Sequence, residues 1–467
     1  MSATREIFVK EMADSLISRK AWVVTVLCLL LIPLSVLAHR LAQVERAAHQ
    51  REARSEYRET LELAPQRYPD FAGQIPADEL EVKIFRDPPE LACLATGLDL
   101  VLPDVVTLDS QGVAIEVGRV ATDTPHFPMG RLDPLFLVQF LLSLLGILLT
   151  FDLISGEREA GTLKLILANP VSRGAILRGK LASSLLLLGL PYSLAFGLGL
   201  LLLRWIGGWT PSGPEVWLRI LLLYGLSLLY LGCFVHLGAW ISSLTSRSLT
   251  SLVILLFLWV TLTMIVPPGA GLVAQRIYPT DSGVGLLQAK ASLRQELREE
   301  QLEELRPFAQ AESYESLRRE VAERYERRFR KNVERMELDL ERNRRRQTYL
   351  ASWLAAVSPA SSLNLSWSTL TDTGPEYAKR FFTDVGAYQE ELQATVFART
   401  FRDFLAAGQA RGRIQLVSPG EIPQLRLRSR TLRDMLRDIW PQAALLVLLN
   451  AIPAVGAHIA FARYDVR

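Results

Sequence analysis

The segment GAILRGKL, Gly174 to Leu181, comes close to a motif that binds nucleotide phosphates. In the pattern G-x-x-x-x-G-K-[ST], the glycine-rich backbone and the lysine hold the phosphates, and the hydroxyl residue holds magnesium. Here Leu181 stands in place of the hydroxyl residue, and no strand precedes the segment. The chain is therefore not expected to hydrolyse ATP itself, and Lys180 is interpreted as the positively charged foot of a membrane helix.

Residues that could form another catalytic or metal site are scattered. Neither His236 nor His458, both in apolar segments, has a nearby Ser, Cys or carboxylate as an obvious catalytic partner. A histidine inside a membrane span is a candidate functional residue. A histidine that only forms a hydrogen bond with a neighbouring helix is at least as common, so neither His236 nor His458 is assigned a role. Cys93 is the one cysteine of three outside the apolar segments, which argues against a disulfide framework. No cofactor is expected in this chain, and an enzyme is disfavoured.

A charged stretch with an ordered choice of residues, SGEREAGTLKLILANPVSRGAILRGK, occupies residues 155–180 between two apolar runs. Its leucine-rich part after Gly161 can form a short amphipathic helix that Pro170 ends. Apolar anchors with neighbouring charges suit a groove on a soluble motor protein. From physics alone, an interfacial helix that rests on lipid headgroups explains the pattern equally well.

Apolar segments must position this stretch. Six of them are long enough to cross a bilayer, which takes about 20 helical residues. They are TM1 (21–38), TM2 (133–152), TM3 to TM5 within 181–268 (near 181–203, 218–241 and 249–268) and TM6 (439–462). The predicted fold class is an α-helical polytopic membrane protein with six transmembrane helices and two extracytoplasmic inserts. With a net charge of only +3, no nucleic-acid partner is expected.

The apolar segment 21–38 resembles a secretory signal, because VLA, ending at Ala38, looks like a cleavage site and Arg19 and Lys20 precede the segment. The twenty residues before it predict instead an amphipathic interfacial helix that leads into an uncleaved anchor. Apolar side chains recur there at helical spacing: Ile7, Phe8, Met12, Leu16 and Ile17.

The orientation follows from the basic residues of the short loops. With six spans, residues 39–132 and 269–438 share one side, whereas residues 1–20, the loop 153–180 and the tail 463–467 share the other. Arginine and lysine cluster around the first span and in the loop 153–180, which predicts that this side is cytoplasmic. The arginines between Arg426 and Arg437 oppose this assignment, and the early loops are given more weight.

The two inserts differ in their patterns. Residues 39–132 begin with a charged helical stretch, 39–63, and then contain strand-like LEVKIF and GVAIEVGRV, which together predict a small α+β module. Residues 269–438 are mainly helical, and Pro267 and Pro268 are expected to end the fifth span before them.

A long helix is predicted over about 312–348 by an apolar stripe, which packs on its own domain or meets a second protomer or outer partner. The stripe consists of Leu317, Val321, Tyr325, Phe329, Val333, Met336 and Leu340. A second amphipathic helix is predicted from Tyr377 to Leu405, and a short strand in GRIQLVSPGEIP.

The segment FDLISGEREAGTLKLILANPVSRGAILRGK, residues 151–180, strongly resembles the signature of ABC-2 type transporter permeases. In that signature, E-R-E-x-G-T-L is followed by P-V-S-R and by G-K at the next span. DPPELACLATGLDLVLP, SPASSLNLSWSTLTDTG and the closing RYDVR are similar to a subgroup with a domain of unknown function between outer spans.

This resemblance implies a six-span permease half in a bacterial inner membrane, with both termini cytoplasmic. It implies pairing with a second permease and with separate ATP-binding cassette subunits, which would bind ATP and Mg²⁺. Carried over by position, the contacts with the ATPase would be Glu157, Arg158, Glu159, Gly161, Thr162 and Leu163.

The large inserts leave the cargo and its direction open. The alternative hypothesis is a membrane sensor or scaffold that transmits force from a cytoplasmic ATPase without passing cargo. A continuous cavity through the spans would favour transport.

Overall fold

The computed structural model describes residues 3–67, 69, 75–76, 79–108, 113–116, 132–168, 171–279, 283–308, 314–392, 395, 416–418, 422–423, 425 and 430–463. The chain divides into two compact units. One comprises Met1–Trp259 with Pro359–Arg467, and the other is Val260–Ser358.

Helices form most of both units. In chain order they are α1 (Ala3–Ile17), α2 (Arg19–Glu62), α3 (Ala64–Arg67), α4 (Pro134–Glu159), α5 (Thr162–Leu167), α6 (Arg173–Trp205), α7 (Pro214–Leu244), α8 (Ser248–Ile277), α9 (Gly283–Leu305), α10 (Tyr314–Ala355), α11 (Pro359–Leu370), α12 (Pro375–Leu392) and α13 (Leu432–Ala462). The strands are β1 (Ile75–Pro76), β2 (Val82–Phe85), β3 (Val105–Leu108), β4 (Val113–Glu116) and β5 (Leu416–Val417).

Six helices within the described residues are long and apolar enough to cross a membrane: α2, α4, α6, α7, α8 and α13. They contain the six apolar segments of the sequence, so the predicted α-helical polytopic membrane fold is confirmed. The charged stretch 39–63 is helical as predicted, and it continues the first span in one 44-residue helix.

Pro267 and Pro268, which were expected to end the fifth span, do not end its helix. The preceding turn, Thr261–Ile265, is π-helical, and the two prolines occupy the first turn of the segment Val266–Ile277. A missing N–H costs least at the start of a helical segment, so α8 continues to Ile277.

Close packing around α7 organises the first unit. It packs against α4, α11 and α13, while α6 packs against α1 and α2. At Gly238 a Cβ atom would lie only 1.9 Å from Thr150 Oγ1, so this glycine permits the close approach of α4 and α7.

The two inserts are joined in the first unit. Strands β2, β3 and β4 form an antiparallel sheet, while β1 pairs with β5 in the register Ile75 to Val417. The predicted strands contain β2, β4 and β5, whereas β3 was not predicted. Helix α12 buries Phe381, Val385 and Tyr388 in the same core as β2 and β3, so parts of both inserts share one hydrophobic core.

The two insert stretches that carry the family resemblance also meet. Leu98 N donates to the carbonyl oxygen of Thr373 over 2.8 Å. Beside it, Gly97 has a φ of 48°, and a Cβ atom there would lie 2.6 Å from the same carbonyl oxygen. Only glycine meets both conditions without strain.

A buried ion cluster fixes the turn that follows β2. The Arg86 guanidinium is fully buried and donates to Asp99 Oδ1 over 2.6 Å and to Asp104 Oδ1 over 3.1 Å. Arg46 adds a bond of 3.1 Å to the other Asp99 oxygen. Burial alone would lower the pKa of Arg86, but the Asp99 charge raises it above its ordinary value.

The second unit contains the predicted long helix, which is α10. Its stripe residues Val321 and Tyr325 are buried together with Leu297 and Leu305 of α9. This part of the stripe therefore packs within its own unit, in agreement with the first of the two interpretations.

The predicted helix from Tyr377 to Leu405 is present as α12 up to Leu392. Val396, Leu405 and most of the arginine cluster before the last span lie outside the described residues.

Candidate functional site

The charged stretch after α4 forms two short helical turns. The segment Ser155–Glu159 ends α4, and α5 follows after Gly161, whose φ of 73° and ψ of 0° place it in the left-handed region. A glycine adopts this conformation without a steric penalty, so Gly161 sets the angle between the two turns. Helix α5 ends at Leu167, before Pro170, which lies outside the described residues.

Glu157 belongs to a buried ion cluster with two other helices. Lys180 Nζ of α6 lies 2.6 Å from Glu157 Oε1 and 2.7 Å from Glu11 Oε1 of α1. Only 3% of Lys180 is exposed. Because a buried charge is costly without partners, the two carboxylates hold the loop and α1 against α6.

Arg158 binds the end of a different helix. Its guanidinium donates to the carbonyl oxygens of Thr245 over 2.9 Å and of Ser243 over 3.2 Å, where α7 ends. The last carbonyl groups of a helix have no partners within the helix, and a positive charge there is attracted to the negative end of the helix dipole.

Glu159 binds the start of the next helix. Its Oε2 atom accepts a hydrogen bond of 3.0 Å from the backbone N–H of Ser248, the first residue of α8. A carboxylate at a helix N-terminus satisfies an otherwise unpaired donor. Glu157, Arg158 and Glu159, here called the charged triplet, therefore bind three different membrane helices.

Further contacts tie the remaining helices to the same end of the bundle. Lys20 of α2 lies 2.5 Å from Asp152, and Ser242 Oγ of α7 accepts from the backbone N–H of Ser155 over 3.0 Å. Arg173 of α6 donates to the carbonyl oxygen of Ala462 at the end of α13 over 2.9 Å. Together with the contacts of the charged triplet, these bonds link residues 152–180 to all six membrane helices.

Helix α5 presents a mixed surface. Leu163 is buried, with 1% of its surface exposed, whereas Leu165 is 71% exposed. Gly161, Thr162 and Lys164 are also exposed. Leu163 therefore anchors α5 to the bundle, while its neighbours Thr162, Lys164 and Leu165 are exposed.

The motif that resembles a phosphate-binding loop lies inside helix α6, because Gly174 to Leu181 follow its N-cap Ser172. Lys180, interpreted as the positively charged foot of a membrane helix, lies near the start of α6. Its amine is buried between Glu11 and Glu157.

The two histidines in apolar segments make helix contacts. His236 Nδ1 lies 3.0 Å from Asn450 Oδ1, and Asn450 Nδ2 donates to the carbonyl oxygen of Leu229 over 2.7 Å, which joins α13 to α7. His458 Nδ1 lies 2.9 Å from the carbonyl oxygen of Ala454 in its own helix.

The sequence pattern identified the charged triplet but missed Ser248, which binds Glu159, Glu11, which shares Lys180 with Glu157, and Ser242, which binds Ser155 just before the triplet. Ser248 was recognisable as the start of an apolar helix. Glu11 carried no signal, since 169 residues separate it from Lys180.

Comparisons with known proteins agree with the signature in this loop. A family model described as "ABC-2 family transporter protein" matches residues 5–466. A protein of Stutzerimonas stutzeri named "Probable ABC transporter permease protein NosY" is 46% identical over 61 residues, which are 13% of this chain and 22% of the relative. A protein of the same name from Pseudomonas aeruginosa is 38% identical over 129 residues, 26% of this chain and 44% of the relative. The chain thus spans less than half the length of these curated relatives.

Proposed function

Since the chain belongs to the ABC-2 transporter family and is therefore an ABC transporter membrane component, we propose that it couples ATP hydrolysis in separate cassette subunits to substrate movement. The partner subunits bind ATP and Mg²⁺, and a second permease completes the pathway. The protein lies in a bacterial inner membrane with both termini and the loop 153–180 on the cytoplasmic side.

The observation that supports this proposal is that the side chains of the charged triplet bind three different helices. Three consecutive side chains bind α6, the end of α7 and the start of α8. Rigid contacts of this kind pass a displacement of the loop to several spans at once. A loop that only connected two helices would not need them.

The predicted contact residues take two roles, and Lys164 and Leu165, which were not among them, join the first. The exposed group of Gly161, Thr162 and Lys164, with the exposed side chain of Leu165, meets the cassette subunit. Leu163 anchors α5, and the charged triplet passes the movement to the spans. Glu159 belongs to both groups, because it is exposed while it holds the N-terminus of α8.

The two roles are separable in the assembled complex. Leu165→Arg places a charge at an exposed apolar contact, so the cassette subunit is expected to be lost on co-purification. Glu157→Ala with Arg158→Ala should retain the cassette but reduce the stimulated ATPase rate about tenfold, since two transmitting contacts are lost.

The matched control is Leu302→Arg on α9, because Leu302 is also highly exposed, at 61%. It should preserve both co-purification and ATPase rate. Full coupling in the Glu157→Ala, Arg158→Ala variant at normal expression would contradict the role of the charged triplet.

A further inference from the structure

The carboxyl-terminal end of α10 carries an apolar surface that its own unit leaves uncovered. Trp353 is 64% exposed, Tyr349 67% and Val357 62%. The two aromatic rings lie edge to face with their centroids 6.1 Å apart. Large aromatic side chains gain much free energy on burial, so a cluster of them at the surface marks a contact with something apolar.

The contact of α10 with α8 gives the depth of this surface. Ser358 Oγ donates to the carbonyl oxygen of Leu262 over 2.5 Å, and α10 packs along Val266–Ile277. From Leu249, about 20 residues at 1.5 Å each cross the hydrocarbon core, which places its boundary near residue 269. The boundary is thus about 10 Å beyond Leu262 along the helix axis.

Ser358 lies at the depth of Leu262, about 10 Å inside the boundary. At a rise of 1.5 Å per residue, the boundary therefore lies about seven residues before Ser358, near residue 351 of α10. Trp353 and Val357 then lie on the hydrocarbon side, and Tyr349 lies at the boundary. Tryptophan and tyrosine concentrate at this level of a bilayer, because their rings are apolar while their N–H and O–H groups seek water.

Basic residues follow at the next level. Arg344 and Arg346 of α10 and Arg276 of α8 are exposed, and none of the three makes an ion pair within the part of the chain that the structure describes. By the same rise, Arg344 and Arg276 lie about 10 Å beyond the boundary, within reach of the headgroup phosphates. Arg345, by contrast, lies 2.6 Å from Glu341.

We propose that this end of α10, together with Val357 just after it and Arg276 of α8, is a bilayer-binding surface, which we name the interfacial anchor. It consists of Tyr349, Trp353 and Val357, which enter the acyl boundary, and of Arg344, Arg346 and Arg276, which bind phospholipid phosphates. Guanidinium groups bind phosphate through paired N–H donors. The order of apolar, aromatic and basic residues along the helix follows the order of layers in a lipid leaflet, which favours lipid over a protein partner.

Spin labelling of the full chain tests the depth of the interfacial anchor. Trp353→Cys and Leu338→Cys are each labelled with a nitroxide and reconstituted into vesicles of equal parts phosphatidylcholine and phosphatidylglycerol. The native cysteines are buried, so the label enters only the introduced site. At position 353, oxygen should relax the label several-fold more than a water-soluble nickel chelate does, and at the exposed position 338 the order should reverse.

Two results would overturn the proposal. Protection of position 353 from both relaxing agents means that protein covers it, and free access of nickel means that it lies in water. Val357→Cys repeats the measurement with a smaller side chain if Trp353→Cys cannot be purified.

A second comparison tests the basic residues. Unfolding of the chain in the mixed vesicles should occur at a higher temperature than in phosphatidylcholine alone. Arg344→Gln with Arg346→Gln should remove most of this difference, whereas Arg327→Gln with Arg330→Gln, farther along the same helix, should retain it. An unchanged difference in the first variant would show that these arginines do not bind the lipid.

Discussion

Arg86 and Lys180 are both basic groups withdrawn from water, and each is held by two carboxylates. Asp99 and Asp104 serve Arg86, whereas Glu11 and Glu157 serve Lys180. A buried ion pair adds little net stability compared with an apolar pair, but the loss of one partner is costly because the other remains charged. Such clusters fix which segments meet: the Arg86 cluster fixes the turn after β2, and the Lys180 cluster joins α6 to α1, 169 residues away in the chain.

The Arg86 cluster gives a stability prediction. Asp99→Asn removes a charge that Arg86 and Arg46 share, so the free energy of unfolding should fall by about 3 kcal/mol. Asp87→Asn in the exposed pair with Arg54 is the control, and it should cost less than about 1 kcal/mol. Denaturant unfolding of the protein in detergent measures both changes. Equal losses in the two variants would contradict the structural role of the buried cluster.

At the residue scale the sequence showed where charges concentrate but not which groups they meet. The charged triplet stood out because three charged residues in a row follow an apolar span. Lys180 was interpreted only as the positively charged foot of a membrane helix, with no partner named. Its burial depends on α1, and nothing in the local pattern around Lys180 indicates that α1 covers it.

At the scale of elements, helix α1 depends on a close contact with α6. A Cβ atom at Gly179 would lie 2.8 Å from Ile7 Cγ2 and 3.2 Å from the carbonyl oxygen of Thr4. The backbones can approach only because residue 179 has no side chain. This approach also brings Glu11 within reach of Lys180.

Gly179→Ala should therefore lower the unfolding temperature, through an overpacking cost of about 1–3 kcal/mol. Ile7→Ala in the same chain should restore part of the loss, because it removes the nearer atom. Gly197→Ala, also in α6 but with no atom within 4 Å of its Cβ position, should be neutral or stabilising. Thermal unfolding in detergent ranks the variants, and equal effects at 179 and 197 would contradict the contact.

Membrane helices were predictable as elements because 18 or more apolar residues have few alternatives. The ends of these helices were less predictable from the sequence. Charged residues 39–62 continue α2 because the insert packs on them, as the bond of 3.1 Å between Gln50 Nε2 and the carbonyl oxygen of Arg86 illustrates. Strand β3 was missed because its four residues, VVTL, carry no alternation and gain their place only from β2 and β4.

At the scale of the whole molecule, no local pattern in the sequence indicates that the inserts share a core. Ile75 and Val417 pair as neighbours in a sheet although more than 300 residues separate them. Residues 260–358 form a unit of their own, whereas α11 and α12 belong to the first unit. The sequence pattern predicted one α+β insert and one helical insert. In the structure, α12 of the second insert packs with the strands of the first insert. This could not be predicted, because pairing between strands that are distant in the chain leaves no local pattern.

Helix α7 separates the two functional ends of the first unit. It has 31 residues and is therefore about 46 Å long. Arg158 binds the carbonyl groups at its carboxyl-terminal end, while Ser212, just before its amino-terminal end, donates to Glu90 of the insert over 2.6 Å. A helix of this length and apolarity is long enough to span a bilayer, so we expect the charged triplet and the insert on opposite sides of it.

This geometry, combined with the basic residues near α2 and α6, predicts which side is which. In spheroplasts, a membrane-impermeant maleimide should label Arg330→Cys but should reach Lys164→Cys only after the membrane is opened. The native cysteines are buried and give a low background, and both introduced positions are exposed, so access to the compartment decides the result. Labelling of position 164 in intact spheroplasts would place the charged triplet outside the cell, where no ATP-driven partner could act on it.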